Sequence, residues 1–278
     1  TYTVRDNQGS ESQPATVSVL VRNNAAPVIS AIASRELNIG TSSGPIAFTV
    51  TDTDGDNLTV TATAADSSIV RTVAVTGTGS NRQLAITAGD FAGLTSITIS
   101  VSDGFNGPVT RTVPVSVFAL IDAGAATPTA GALSDRGFQN GAGSRFVGTV
   151  PVKTTPGSIA ASVPDQFYRT ILYDEAGGGD LGFDVKAKAG QTFAVDLFFA
   201  EVWNGIQGNG QRVFNVLLDG DKVLENFDVF REANGRNKGI SRRFIIQSDG
   251  NIDIDLRRLV QNPAIAGLRV TPVPQSEA

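Results

Sequence analysis

The chain has 278 residues, of which 41% are hydrophobic and 18% charged, and it carries a formal net charge of −5. This length allows two domains, and the composition can bury ordinary cores. The negative balance, without a Lys- or Arg-rich stripe, argues against nucleic acid or an anionic membrane surface as a partner. No apolar run approaches the ~20 residues of a membrane-spanning helix, so we expect no membrane insertion.

The chain contains no Cys and no His. Disulfides, thiolate or imidazole metal ligands, and Cys- or His-based catalysis are therefore excluded. We expect no required cofactor, although calcium stays open because its ligands are oxygens. No signal peptide begins at Thr1, so we expect a processed product or an excised fragment.

Residues 1–22 contain two runs in which apolar and polar residues alternate, separated by a polar turn that begins at Asp6. Such alternation predicts two half-buried strands. Residues 97–117 repeat the pattern, with Asp103 at the place of Asp6, which indicates an internal repeat. We therefore expect residues 1–22 to be the last hairpin of a preceding Ig-like module. The alternative is that they supply the first two strands of the domain that follows.

A short linker ending at Pro27 leads into the next domain, which we place at 23–117. Six evenly spaced runs predict strands at 46–51, 58–64, 69–76, 82–87, 95–102 and 109–117. Short strands at this spacing are typical of an immunoglobulin-like β-sandwich. The run VTDTDGDNLTV from Val50 and the run TSITISVSDG from Thr95 resemble bacterial Ig-like and cadherin-like repeats of large surface proteins.

Asp52, Asp54 and Asp56 form a D-x-D-G-D cluster in a turn of this domain. Spaced carboxylates in a turn can bind Ca²⁺, so these three residues are a candidate calcium site. The alternative is a solvated turn in which the Asp side chains accept hydrogen bonds from local N–H groups.

Residues 118–278 form the second predicted domain. A long Gly-, Ala- and Ser-rich stretch up to Ser162 comes first, and a loop of that length is uncommon unless it is functional. Alternating runs then predict strands at 181–187, 192–201, 212–219, 222–229, 241–248, 251–257 and 264–271. Asp-Gly pairs at Asp219 and Asp249 separate neighbouring runs, as in hairpins. We therefore predict an all-β chain whose second domain is a jelly-roll sandwich.

Several segments of this second domain follow one another in the order and spacing of a known family. They are IDAG from Ile121, DQFYRTILY from Asp165, FFAEVW from Phe198, QRVFNVLLDG from Gln211 and NPAIAGLRV from Asn262. Over about 150 residues the chain is similar to malectin carbohydrate-binding domains. The resemblance implies a galactose-binding-like β-sandwich that binds oligosaccharides through loop aromatics and an acid.

The resemblance also implies site residues. Tyr173 matches the binding Tyr after the Asp-Gln segment, and Trp203 matches the first aromatic after Phe-Ala-Glu-Val. Asn204 stands where the family has a second aromatic, and Gln261 stands where it has an Asp. One stacking ring and one carboxylate are therefore replaced.

The aromatic residue of the long first loop corresponds to Phe146 or to Phe138. A Tyr or Trp in a loop over a rigid sandwich presents a flat apolar face with a polar edge, which suits the C–H face of a sugar.

These features predict a non-catalytic module that binds an oligosaccharide or polysaccharide, in a large bacterial protein at the cell surface or outside the cell. The alternative is a structural or adhesive module that contacts neighbouring repeats or other surface proteins. A glycoside hydrolase needs two placed carboxylates. Asp253 and Asp255 share one strand face, but a solvated face explains them better.

Overall fold

A computed structural model describes residues 1–19, 23–140, 143–174 and 180–274. Nearly all of the regular structure in the described residues is β-strand, so the all-β prediction is confirmed. No helix in this described part is long and apolar enough to cross a membrane.

The first sandwich is built from two facing sheets. Its strands are Val28–Ile29 (β1), Arg35–Asn38 (β2), Ser42–Thr51 (β3), Thr59–Ala64 (β4), Val70–Thr76 (β5), Asn81–Ala88 (β6), Gly93–Ser102 (β7) and Val109–Asp122 (β8). One sheet has the order β1-β3-β6-β5, and the other places β4, β7 and β8 side by side, with β2 parallel to β8. Alternate residues of β7 and β8 are buried because one face of each strand packs on the opposite sheet. The Ig-like fold is as predicted.

Strand β8 does not end where the first domain was expected to end. It runs on from Val117 through Phe118 to Asp122, and this second half pairs with a strand near the end of the chain. A single strand therefore belongs to both sandwiches, and it crosses the predicted boundary at 117/118 without a break.

The second sandwich uses thirteen further strands of the described residues. They are Leu133–Ser134 (β9), Gln139–Asn140 (β10), Gly143–Val147 (β11), Lys153–Thr154 (β12), Thr170–Asp174 (β13), Leu181–Lys186 (β14), Thr192–Phe199 (β15), Val213–Leu218 (β16), Asp221–Phe227 (β17), Lys238–Gln247 (β18), Asn251–Val260 (β19), Ala264–Ile265 (β20) and Gly267–Val273 (β21). The larger sheet runs β12-β18-β15-β21-β8, and the facing sheet runs β10-β14-β19-β16-β17. A small sheet of β11, β13 and β20 lies beside them.

Four short helices connect the strands of the second sandwich. Three are 3₁₀ helices, at Asp135–Gly137, Ile159–Ser162 and Asp165–Arg169, and one is a single α-helical turn, α1, at Val229–Glu232. The stretch expected to be a long loop therefore contains several short elements of regular structure.

A second, smaller core lies between this stretch and the large sheet. The rings of Phe167 and Tyr168 meet Phe198 of β15 edge-on, at centroid distances of 5.6 and 6.1 Å. The buried Tyr168 hydroxyl donates a hydrogen bond to the carbonyl of Ala160 at 2.7 Å. This core supports the small sheet, because Ile171 of β13 is part of it.

Residues 1–19 form a separate hairpin, joined by bridges from Tyr2 to Ala15 and from Arg5 to Glu11. Within the described residues, the hydrogen bonds of this hairpin stay inside residues 1–19. Its assignment to a preceding Ig-like module stays a prediction.

Candidate functional site

A pocket of about 200 Å³ opens in the second sandwich, beside the small sheet. Its walls come from three parts of the chain: the paired strands β11 and β13, the segment after β15 and the turn after β19. The lining residues are Phe146, Ile171, Tyr173, Trp203, Arg212, Gln261 and Asn262.

Strand pairing positions two aromatic rings of the pocket, those of Phe146 and Tyr173. Phe146 of β11 lies opposite Ile171 of β13, and Tyr173 follows two residues later. Residues two apart on a strand point to the same face, so Phe146, Ile171 and Tyr173 line one wall together. Both rings are half-buried and pack against the smaller core.

Trp203 is held by its neighbours in the segment that follows β15. Its backbone N–H donates to Oε1 of Glu201 at 3.0 Å. A Cβ atom at Gly205 would lie 2.5 Å from the Trp203 ring, so only glycine lets the chain pass this close behind the indole. The ring stays half-buried, with part of its surface accessible.

A buried ion pair braces the segment after β15. Arg212 Nε lies 2.8 Å from Glu201 Oε2, and the two residues are 4% and 1% exposed. Nη1 of Arg212 also donates to the carbonyl oxygen of Asn262. The Arg212 guanidinium carbon is 5.9 Å from the centre of the Trp203 ring, within cation–π range. We call Glu201 and Arg212 the pocket clasp, because they connect the Trp203 segment to the turn after β19.

The electrostatics of the clasp follow from its burial. Burial raises the pKa of Glu201, and the charge of Arg212 partly opposes that rise. Nη2 of Arg212 makes no hydrogen bond within the described part of the chain. The two N–H groups of Nη2 on this buried cation therefore remain for a ligand.

The turn after β19 brings an amide to the rim of the pocket. Gln261 adopts a left-handed backbone conformation, with φ of 56°, and its side-chain Oε1 accepts a hydrogen bond from the Asn262 N–H at 3.1 Å. Gln261 is exposed, whereas Asn262 is half-buried.

The structure brings together four of the five residues predicted for ligand binding: Phe146, Tyr173, Trp203 and Gln261. The fifth, Asn204, does not line the pocket and is exposed, so the geometry gives its predicted role no support.

The alternative to Phe146 also lies elsewhere. Phe138 packs against the main core, and its carbonyl accepts a hydrogen bond from the Asp184 N–H at 2.7 Å. The sequence analysis did not identify Ile171 and Asn262 as lining residues. The one sequence signal for Ile171 is its position two residues before Tyr173.

The candidate calcium residues lie together in the first sandwich. One carboxylate oxygen from each of Asp52, Asp54 and Asp56 falls within 4.8 Å of the other two. Oδ1 of Asp52 accepts hydrogen bonds from the N–H groups of Asp54 and Gly55, as in the solvated-turn alternative. Burial and the neighbouring Asp carboxylates raise the pKa of Asp56. Ca²⁺ binding there stays a prediction.

Family comparison agrees with this architecture. The malectin domain model matches residues 129–269. This chain belongs to the malectin family. A bacterial Ig domain model matches residues 24–116, which contain the first sandwich up to the shared strand.

Two curated proteins of Arabidopsis thaliana share sequence with the chain. Receptor-like protein 4 is 35% identical over 81 residues, covering 27% of this chain and 13% of its own length. Kinesin-like protein KIN-14R is 27% identical over 108 residues, covering 38% of this chain and 10% of its own length. The chain thus matches only a small part of these relatives.

Solved structures share the fold at low sequence identity. The ANXUR2 extracellular domain from Arabidopsis thaliana superposes with a TM-score of 0.51 at 12% identity, covering 70% of this chain and 58% of that one. A structure of the plant peptide RALF23 in complex with FER and LLG2 gives a TM-score of 0.52 at 12% identity, covering 84% and 82% of the two chains.

Proposed function

We propose that this chain is a non-catalytic carbohydrate-binding segment of a bacterial extracellular or cell-surface protein, and that the malectin domain binds an oligosaccharide or polysaccharide in the pocket described above. The observation that carries the proposal is the convergence of Phe146, Tyr173 and Trp203 around one opening. They come from separate parts of the chain and leave accessible ring surface beside polar groups.

The chemistry of the lining suits a sugar. An indole or phenol ring offers a flat apolar face for the C–H side of a pyranose, and it keeps a polar edge. Arg212 offers the Nη2 donor, and the amides of Gln261 and Asn262 can both donate to and accept from hydroxyl groups. The lining therefore provides stacking surface and hydrogen bonds together.

The same lining supports binding without catalysis. Glycoside hydrolysis requires two carboxyl groups beside the scissile bond, and the lining residues include no Asp or Glu. Asp253 and Asp255 lie on β19, outside the pocket lining. Asp253 lies opposite Asp184 of the neighbouring strand β14. Burial and this like-charged neighbour raise the pKa of Asp253, as expected for a crowded acidic surface.

The size of the pocket limits its affinity. Its volume of about 200 Å³ is below the ~300–1,000 Å³ of sites for drug-sized ligands. It therefore suits a short stretch of glycan rather than a long one. Weak single-site binding would be strengthened where several such segments act together.

The two domain families that match the chain support the proposed location outside the cell. A bacterial Ig domain model and a malectin domain model match the same chain. The extracellular domain of ANXUR2 shares the fold. These likenesses favour a segment that lies outside the cell in a bacterial protein.

A protein-binding or adhesive role is the second candidate, because exposed aliphatic side chains flank the pocket. Val147, next to Phe146, is 57% exposed, and Val260, next to Gln261, is 46% exposed. Such a rim also suits the surface of a partner protein.

A glycan array tests the proposal. Unmodified protein should bind at least one class of polysaccharide, and Trp203→Ala and Tyr173→Ala should each lose most of that binding. Phe105→Ala is the matched control, because Phe105 is a 73% exposed aromatic in the first sandwich, away from the pocket. Unchanged binding by Trp203→Ala would refute the site. A complete absence of glycan binding by the unmodified protein would favour the adhesive role.

A further inference from the structure

The hairpin of residues 1–19 exposes an apolar face that the corresponding hairpin of the Ig-like domain buries. Its exposed apolar residues are Tyr2, Val4, Val17 and Val19, at 57%, 62%, 63% and 78%. Valine and tyrosine side chains this exposed on one small element lose the burial that normally stabilises a sheet. A two-stranded hairpin by itself is at best marginally stable in water.

Strand register matches this hairpin to β7 and β8. Tyr2 bridges to Ala15 in the first hairpin, and Ile99 pairs with Arg111 in the second. In both hairpins a valine of the second strand follows two residues later, at Val17 and at Val113. The structure therefore aligns the two hairpins in the same way as the sequence repeat does.

The two turns also share their geometry. Oδ1 of Asp6 accepts hydrogen bonds from the N–H groups of Gln8 and Ser10, both at 2.9 Å. Oδ1 of Asp103 accepts from the N–H groups of Phe105 and Asn106, again at 2.9 Å. In each case an Asp at the end of the first strand caps the loop that follows.

The matched positions differ in what covers them. The four counterparts in β7 and β8 are at most 1% exposed. They are Ile99, Val101, Val113 and Val115. They pack against the β1-β3-β6-β5 sheet, while β4 pairs along the edge of β7. Among the described residues, no sheet packs on the apolar face of the first hairpin, and no strand pairs along its edge.

We propose that residues 1–19 are the closing hairpin of a second Ig-like unit of the same class as residues 24–116. Its apolar face would bind the remaining strands of that unit, with the strand that corresponds to β4 pairing along Tyr2–Arg5. The partner surface is therefore the inner face of an Ig-like sheet together with one free strand edge. This inference is independent of the sugar site.

An extended chain tests the proposal directly. Residues 24–97 are duplicated and joined ahead of Thr1, so that the hairpin takes the place of the β7–β8 hairpin in the added unit. Hydrogen exchange is then measured for the backbone amides of residues 2–19. In the original chain these amides should exchange at least tenfold faster than those of β7 and β8, and the extension should slow them by about tenfold or more.

Two variants make the result decisive. Val17→Asp with Val19→Asp should abolish the protection gained in the extended chain, but it should leave the thermal unfolding midpoint of the original chain unchanged. Tyr2→Ile in the extended chain restores the β7 residue at that position. Hairpin amides that stay unprotected both in the extended chain and in its Tyr2→Ile variant, or that are already as protected as β7 in the original chain, would overturn the proposal.

Discussion

The pocket and the junction between the two domains are built in opposite ways. The pocket depends on side chains: Glu201 holds Arg212, and Arg212 donates a hydrogen bond to the carbonyl oxygen of Asn262, which is distant in sequence. The junction depends mainly on backbone. Strand β8 runs through it, and Ala92 exchanges hydrogen bonds with the backbone of the Lys186–Lys188 segment at 2.9 and 2.8 Å. Paired backbone therefore joins the Ig-like domain to the malectin domain, whereas a few polar contacts shape the site itself.

The side-chain amide of Gln191 pairs with main-chain groups across the junction. The amide of Gln191 accepts from the Leu94 N–H at 2.7 Å and donates to the Leu94 carbonyl at 2.9 Å. It thus satisfies both main-chain groups of one residue in the neighbouring domain, as a paired strand would. This contact gives the junction a defined register without needing a charged pair.

The largest effect should come from breaking the clasp. Glu201→Ala leaves Arg212 as a buried cation without its counter-ion, and removing one partner of a buried pair typically costs about 3–5 kcal/mol. We expect a loss of unfolding free energy of that size in urea denaturation, together with lost glycan binding as the Trp203 segment shifts.

The control for the clasp is Glu225→Ala, which removes an exposed carboxylate that lies 2.8 Å from Lys222. Exposed pairs contribute about 0–1 kcal/mol, so this variant should be close to neutral. A Glu201→Ala protein as stable as the Glu225→Ala protein would show that the clasp does not organise the pocket.

An intermediate effect should come from crowding the junction. A Cβ atom at Gly93 would lie 2.8 Å from Ile69 Cδ1 and 3.0 Å from Lys188 Cβ, so side chains of both domains leave no room there. Gly93→Val should cost about 1–3 kcal/mol of unfolding free energy. Glycan binding by the folded protein should be unchanged, since the pocket is elsewhere.

Gly107→Val is the matched control, because a Cβ atom at Gly107 has open space around it. Thermal unfolding of both variants checks the prediction. Equal midpoints for the two would contradict a tightly packed junction.

The sequence predicted the pocket better than it predicted the junction, and the reason is physical. Tyr173 and Trp203 belong to residue types that are rare in this chain, and the spacing of a known family indicates their positions in the site. Four of the five predicted residues line one opening. Asn204 is exposed and does not line the opening, and local spacing does not specify which way a residue in the turn after Trp203 faces.

The junction was not predicted because the residue types of a strand do not indicate which strands its backbone pairs with. Nothing in the run from Val109 to Asp122 signals that one strand serves two sheets, since alternation looks the same on both sides of Val117. Gln191 is likewise an ordinary polar residue in a turn. The prediction of two all-β sandwiches held because alternation determines strands, but it does not determine which strands become neighbours.

The smallest effect should come from the charged pair at the junction. Lys188 Nζ lies 2.5 Å from Asp66 Oδ2, joining the two domains. The hydrogen bond from Lys188, followed by that from Ser68, lowers the pKa of Asp66 to about 2. Since the pKa of this carboxyl is depressed in the folded state, its stabilising contribution is present above the ordinary Asp value near 3.9 and is lost as the pH falls toward 2.

Lys188→Gln should therefore raise the pKa of Asp66 and lower the unfolding free energy at pH 7 by about 0.2–1 kcal/mol, because solvent screens this partly exposed pair. The difference from the unmodified protein should shrink as the pH falls below 4. Lys222→Gln removes a pair confined to one hairpin and serves as the control, with NMR titration of Asp66 as the direct measurement. An unchanged Asp66 pKa in Lys188→Gln would mean that the Lys188–Asp66 pair does not contribute to the junction, which would leave the paired backbone and the Gln191 amide as its polar contacts.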